Sequence, residues 1–402
     1  MEVLKLVVVF LVIVAILKLK KPLAVAIAGA CVSTSLLYGI GLIETLQITA
    51  KSLTSWGTIS ILLIFYMITF LQRMLEKRNA LKAAQQSLNG IYNNRRFNTA
   101  LAPILIGLLP SPAVVTICGA VVKETAENYL TVEEKTFVTS YYRHIPESFL
   151  PTYSSIILGV KLSGVELSSY LYCMLPMVFV LVGLGHVFQL RKLPKDTGRP
   201  ESENRGKDFV TLCRNIWPIA LVVVMAVVFR TSVYVAALVS VVLYVYTGKF
   251  AWSEIRPMFY TAIEMKLLAN TAVIMVFRDI IDATGVIRTL PDFFSVLPIP
   301  SYLVFFLIFF FGSIVSGNTA IIAICLPLAF GTVPNAGVAL LVLLLSSGYM
   351  AMQISPTHIC LAVVTDYFGT GMGSLVKKTL PVIASFSVIL IGYYLLLVNL
   401  GF

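Results

Sequence analysis

The sequence predicts an all-α polytopic membrane protein of about ten transmembrane helices plus two re-entrant hairpins, built as two halves of inverted topology. Three observations predict it. Apolar runs of bilayer-spanning length fill the chain, one hydrophilic linker divides it near its middle, and matching interruptions recur at one offset in both halves. Ser111-Pro112 breaks one apolar run and Ser316-Gly317-Asn318-Thr319 breaks its counterpart, 205 residues on. Pro151-Thr152 and Pro356-Thr357 break two more at the same offset, and Arg73 and Arg278 each close an apolar span. Paired breaks of this kind mark an inverted-repeat membrane fold.

Composition narrows the class. The 402 residues are 58% apolar and 12% charged, with a mean hydropathy of +0.91. A soluble domain carries about 25% charge. The net charge of +11 would suggest nucleic acid in a soluble protein. Here Lys and Arg concentrate in alternate loops, where they set membrane orientation, and no nucleic-acid partner is expected. Cys31, Cys118, Cys173, Cys213, Cys325 and Cys360 lie mostly in apolar runs without a C-x-x-C pair. They read as packing residues, with neither a disulfide framework nor a zinc site. The run Met1–Leu17 is followed by Lys18, Lys20 and Lys21 without a small-residue cleavage pattern. It therefore reads as a first span rather than a signal peptide.

The first repeat, residues 1–190, offers spans at Val3–Leu17, Leu23–Ile43 and Trp56–Gln72, then an amphipathic surface helix within Arg73–Asn98. Hairpin 99–122 is broken at Pro110-Ser111-Pro112, although a Pro-kinked full span has the same length. Spans at Thr136–Val160, interrupted by Pro146 and Pro151, and Leu167–Leu190 complete the half. A cytoplasmic linker, residues 191–208, follows. The second repeat, residues 209–402, repeats the order: Phe209–Phe229, Ser232–Tyr246, Met258–Phe277, a polar segment Arg278–Pro300, hairpin 302–328, then Gly337–Val364 and Leu380–Leu400.

Charge tests this map. With both broken runs turned back, each half has an odd number of spans, so the halves are inverted. Most of the 30 Lys and Arg then share one face, with Lys51, Lys161, Arg230, Arg278 and Arg288 opposite and the remaining four within spans. That bias is what the positive-inside rule requires of a cytoplasmic face; both termini are expected outside, and a prokaryotic cytoplasmic membrane is the expected location.

Backbone that leaves the helix inside a bilayer must be buried in protein or line a watery cavity. The breaks therefore point to one shared polar site. Half-helix N-termini suit a carboxylate, and opposed carbonyl ends suit a cation such as Na+. The candidates at the first tip are Ser111, Pro112 and Thr116, with Gly119 for flexibility. At the second, Gly317 permits close backbone approach, Asn318 both donates and accepts, and Ser316 and Thr319 can cap a helix start. Thr152, Ser154 and Ser155 follow one Pro break; Ser355, Pro356, Thr357 and His358 form the other. His358 can donate to an anion or carry a proton. Each also has an ordinary reading, as a backbone-bonded hydroxyl, a cap or a neutral core imidazole.

Among the charges, Arg143 and Glu147 share a helix face at i,i+4 and can pair, or sit at the cytoplasmic membrane surface. Glu264 and Lys266, inside a span at spacing two, each need a separate partner. Glu147 and Asp366 are coupling-ion candidates. His144, His186 and His358 show no metal-ligand spacing such as H-E-x-x-H, so neither a metal site nor a catalytic group is predicted. No cofactor is expected beyond Na+ as a coupling ion.

Together these features resemble the ion transporter superfamily, which includes divalent anion–sodium symporters, citrate–metal and gluconate permeases, and sodium–proton antiporters. The sequence is similar to its ten-span domain-of-unknown-function family 401, where a Ser-Pro-x-His-x-Cys-Leu segment lies near the C-terminus. Here that segment is Ser355-Pro356-Thr357-His358-Ile359-Cys360-Leu361. The resemblance implies an elevator-type secondary transporter of a small carboxylate, driven by H+ or Na+, with a rigid scaffold, a moving domain and a homodimeric assembly. It implies that the hairpin tips hold substrate and coupling ion. The first tip departs from the sodium–dicarboxylate pattern, because Pro112 and Ala113 replace Asn and Thr. The alternative is a sodium–proton antiporter using Asp366, Glu147 or Glu264; an intramembrane enzyme is disfavoured.

Overall fold

The computed structural model describes residues 2–19, 21–92, 94–108, 114–126, 128–196, 204–286, 298–356 and 358–402, and these are helical with short connections. In the first half the helices are α1 (Glu2–Lys18), α2 (Leu23–Tyr38), α3 (Leu42–Thr54), α4 (Trp56–Lys77), α5 (Ala80–Ile91), α6 (Arg95–Ile106), α7 (Val114–Thr125), α8 (Val132–His144), α9 (Ser154–Ser163) and α10 (Leu167–Phe188). The second half holds α11 (Arg205–Val227), α12 (Val233–Thr247), α13 (Trp252–Thr261), α14 (Met265–Thr284), α15 (Ser301–Ser316), α16 (Asn318–Thr332), α17 (Val338–Met352), α18 (Ile359–Phe368) and α19 (Met372–Asn399).

Among the described residues, α4, α10, α11 and α19 are each long and apolar enough to cross a bilayer. A fifth span results if α13 and α14, bent by 45°, count as one. The outer helices turn large apolar side chains outward: Leu36, Phe179, Phe209 and Val388 are each more than half exposed. Polar surface would be expected there in water; lipid accepts such a surface. The fold is that of a polytopic membrane protein.

The described breaks have local causes. Gly39 adopts a left-handed conformation after Tyr38 and its N–H caps the preceding turn, which ends α2. The expected span Leu23–Ile43 is thus shorter, and a separate helix, α3, follows that the apolar pattern did not reveal. The expected span Met258–Phe277 is likewise cut at Ala262–Glu264. Glu264 consequently lies in a bend rather than inside a span, and its carboxylate meets Arg73 at 2.9 Å.

Two segments double back. Thr99 Oγ1 donates to Thr125 Oγ1 at 3.0 Å, so α6 and α7 run antiparallel. A Cβ on Gly312 would come within 2.6 Å of Ile321 Cδ1. Nine residues of continuous helix would separate them by about 13 Å, so the chain reverses between α15 and α16. The turn is Gly317, at φ 83° and ψ 149°, a region open essentially to glycine alone.

Two helices form the centre. Every residue from Ala339 to Ala351 of α17 is buried, as is every residue from Glu134 to His144 of α8. α6 and α7 pack on α8 and α7 reaches α18; correspondingly, α15 and α16 pack on α17 and α16 reaches α9. Boundaries keep the offset read from sequence. Tyr153 and His358 are the N-caps of α9 and α18, and Gly164 and Gly369 end them in the left-handed conformation. Each of these pairs is separated by 205 residues.

Candidate functional site

The site forms where the two interrupted central rods cross. Pro146 lies in a 3-10 turn, Ile145–Ser148, that follows α8, and Pro151 delays helix until Ser154. On the other rod α17 ends at Met352, and Pro356 precedes the start of α18 at Ile359. A residue before proline is pushed out of the helical region, so both rods open at the same register.

Arg143 and His144 end α8 and are 2% and 1% exposed. Arg143 Nη1 lies 3.8 Å from Glu147 Oε2, and the Glu147 side chain is 19% exposed. The i,i+4 pair foreseen from sequence is therefore present, and it is inside the protein rather than at an open surface. His144 Nδ1 sits 2.6 Å from the Ser140 carbonyl oxygen. A carbonyl only accepts, so Nδ1 carries the proton and Nε2 presents its lone pair. His358, the N-cap of α18, meets that atom: the two Nε2 atoms are 3.0 Å apart. His358 Nε2–H is then the donor. Cys360 completes a group in which one donor atom from each of three residues lies within 4.8 Å of the others.

Glu147 is close enough to act electrostatically on Tyr349, Tyr153 and His358. Tyr153 Oη donates to the Gly107 carbonyl at 2.5 Å. A Cβ on Gly107 would come within 2.2 Å of the Arg143 carbonyl oxygen, so α6 lies directly against the end of α8. Thr152 Oγ1, Tyr349 Oη and Gln353 Oε1 are buried with no hydrogen-bond partner among the described residues. An unpaired buried polar atom costs about 1–3 kcal/mol, which a polar solute would recover.

The second hairpin tip approaches the same rod. A Cβ on Gly348 would fall 2.1 Å from Asn318 Oδ1, so the Asn318 side chain lies on the bare backbone of α17. Ser313 Oγ reaches Asn318 Oδ1 at 3.5 Å. Ser355 Oγ donates to the Ile314 carbonyl at 2.9 Å, tying the broken rod to the hairpin. Neither α9, α16 nor α18 has a side-chain hydrogen bond at its N-cap, which leaves first-turn N–H groups for other acceptors.

Of the residues singled out from sequence, the fold gathers Glu147, Thr152, Ser355 and His358 around this crossing, with Asn318 on the neighbouring face of α17. Ser154 is half-buried at the start of α9, and Ser316, Gly317 and Thr319 are half-buried at the hairpin turn. Pro356 is exposed, Thr116 is exposed on α7, and Asp366 is exposed at the far end of α18. Ser111, Pro112 and Thr357 lie outside the described residues.

Sequence reasoning did not foresee His144, Tyr153, Tyr349, Gln353 and Cys360 as site residues. His144 and His358 are separated by 214 residues, so no local spacing could announce the pair. One signal was available. At the 205-residue offset His144 corresponds to Tyr349, and His358 to Tyr153.

The whole fold has a counterpart. The crystal structure of the Alcanivorax borkumensis YdaH transporter, described as revealing an unusual topology, is similar with a TM-score of 0.70. The match is 13% identical and covers 95% of this chain and 99% of that one. No curated protein matches the sequence. The model of DUF401, a family described as protein of unknown function, matches residues 3–398, and the chain belongs to that family.

Proposed function

We propose that the protein is a secondary active transporter of a small carboxylate anion, coupled to H+ or Na+. The observation that carries this reading is a buried polar site at the crossing of two broken rods in a lipid-facing bundle. An ionisable group at bilayer depth costs on the order of 3 kcal/mol on insertion scales and is kept for function. Arg143 and the uncapped starts of α9, α16 and α18 favour an anion, while the Thr152, Tyr349 and Gln353 side chains offer it hydrogen bonds. The fold shared with a membrane transporter agrees.

In this reading residues 1–190 and 209–402 are inverted repeats, and residues 191–208 are a cytoplasmic linker. The hairpins α6–α7 and α15–α16 are re-entrant: 12 to 16 residues reach only about 18–24 Å, short of a hydrocarbon core of about 30 Å. The paired rods α8–α9 and α17–α18 each complete one span, with α1, α2 and α12 completing the count of about ten. The hairpins and broken rods move together against a scaffold held in a homodimer, and both termini face outside.

Asn318→Ala tests the site. Gradient-driven uptake of labelled carboxylates by proteoliposomes is expected to be lost while the variant stays monodisperse and folded. Full transport by the variant overturns the assignment. A sodium–proton antiporter is the second reading, favoured by the largely buried Glu147 carboxylate beside the histidine pair. It requires added Na+ to collapse a pH gradient with no organic solute present.

A further inference from the structure

We propose that His144, His358 and Cys360 form a binding site for a divalent transition-metal ion of the Zn2+ type. The inference stands on the geometry of this cluster and is independent of the transport reading.

The donor set is chemically apt. Two imidazole nitrogens and one thiolate are ligands that Zn2+ and Co2+ favour, and three protein ligands leave a fourth tetrahedral position open. With Zn–N bonds of about 2.0–2.1 Å, tetrahedral geometry separates two nitrogens by about 3.3 Å. The two Nε2 atoms are 3.0 Å apart, so a small side-chain rotation admits the ion. Cys360 lies in the same cluster, with its donor atom inside the 4.8 Å limit.

The surroundings orient the ligands. The Ser140 carbonyl holds the proton of His144 on Nδ1, aiming the Nε2 lone pair at the cluster. A hydrogen bond from the non-ligating nitrogen to a carbonyl is what fixes metal-ligating imidazoles elsewhere. His144 is anchored at the end of the buried α8, whereas His358 and Cys360 sit on the start of α18. An ion here would therefore bridge the two halves of the chain. His358 is half-buried, and His144 and Cys360 are buried.

Binding balances in protons and charge. The His358 proton moves from Nε2 to Nδ1, freeing both Nε2 atoms, and the Cys360 thiol releases its proton to solvent as the S–metal bond forms. The thiolate then cancels one of the two metal charges, the Arg143–Glu147 pair is neutral by itself, and an anionic oxygen in the open position cancels the other. The equivalent positions of the other half, Tyr349, Tyr153 and Ser155, carry only hydroxyls and do not make a second such site.

The experiment is titration of the detergent-purified, metal-stripped full chain with Co2+. The expected result is one Co2+ per chain, with tetrahedral d–d absorption and a near-ultraviolet thiolate-to-cobalt charge-transfer band, both displaced by Zn2+. Cys360→Ser should abolish the charge-transfer band, and Cys213→Ser, at the exposed cysteine, should retain it. His144→Gln and His358→Gln should each weaken Co2+ binding by at least about tenfold. Asn318→Ala should bind Co2+ like the unaltered chain, which separates this site from the transport assignment. Failure of the unaltered chain to bind Co2+, survival of the band in Cys360→Ser, or unchanged affinity in both histidine variants overturns the proposal. The first of these outcomes depends on no variant's folding.

Discussion

His144 and His358 face each other with their Nε2 atoms 3.0 Å apart, although 214 residues separate them in the chain. The positions that correspond to them, Tyr349 and Tyr153, occupy the same polar region beside Glu147. Positions 205 residues apart thus share one polar region, one pair as imidazoles and the other as phenols. One pairing offers ring nitrogens and the other only hydroxyls.

The hairpin tip depends on a bare backbone. Because a Cβ on Gly348 would lie 2.1 Å from Asn318 Oδ1, Gly348→Ala should displace the Asn318 amide without touching solute. Transport is expected to fall by at least about tenfold, the loss of roughly 1.4 kcal/mol of contact. Uptake by proteoliposomes, normalised to folded protein, checks it; unchanged uptake would separate Asn318 from the site.

Gly317 is a test of conformation rather than space. No atom stands within 4 Å of a Cβ placed there, but φ is 83°. Gly317→Ala should destabilise the protein by about 1–3 kcal/mol. Gly373→Ala, in the first turn of α19 with equal room and ordinary φ, should be neutral or slightly stabilising. Thermal unfolding in detergent compares the two, and equal effects would contradict the strained turn.

Arg143 is a buried charge with a partner at 3.8 Å. Arg143→Met removes the cation and leaves Glu147 uncompensated, which should cost about 3–5 kcal/mol. Adding Glu147→Gln should restore part of that stability. Equal unfolding temperatures for the single and double variants would show that the two side chains are not energetically coupled.

Arg78, just past the end of α4, holds the Glu254 carboxyl in the first turn of α13 down to about 2 from 4.5, with help from the Ala251 N–H. The guanidinium engages both carboxylate oxygens, at 2.8 and 2.9 Å. A depressed folded pKa contributes stability above the unfolded value and loses it as pH falls through the folded one. The advantage of the unaltered chain over Glu254→Gln should therefore be full above about pH 4.5 and shrink progressively toward pH 2. Melting temperatures across that window decide it; a constant difference would exclude the pair as its source.

The helical breaks were legible because proline and glycine act locally. Pro151 and Pro356 delay helices that restart at Ser154 and Ile359, and Gly317 permits the turn between α15 and α16. Other boundaries were not legible. The end of α2 at Tyr38 and the bend before Met265 lie inside runs that read as continuous spans, so packing and a left-handed Gly39 decided them. Asp366 and Glu147 are equal acidic candidates in sequence, yet one is exposed and the other faces buried polar groups. Burial is a property of neighbours, and no one-dimensional pattern reports it.

By itself the amino-acid order determined that this chain is helical and suited to lipid, and where several of its helices are interrupted. Each follows from forces acting within a few residues: hydropathy, proline sterics and glycine's backbone freedom. Only the tertiary structure decided that Arg143 is enclosed, that Asn318 rests on Gly348, and that His144, His358 and Cys360 converge. The last of these joins residues from opposite halves. The distances are set by how α8 packs on α18, and that depends on the shapes of all the surrounding helices.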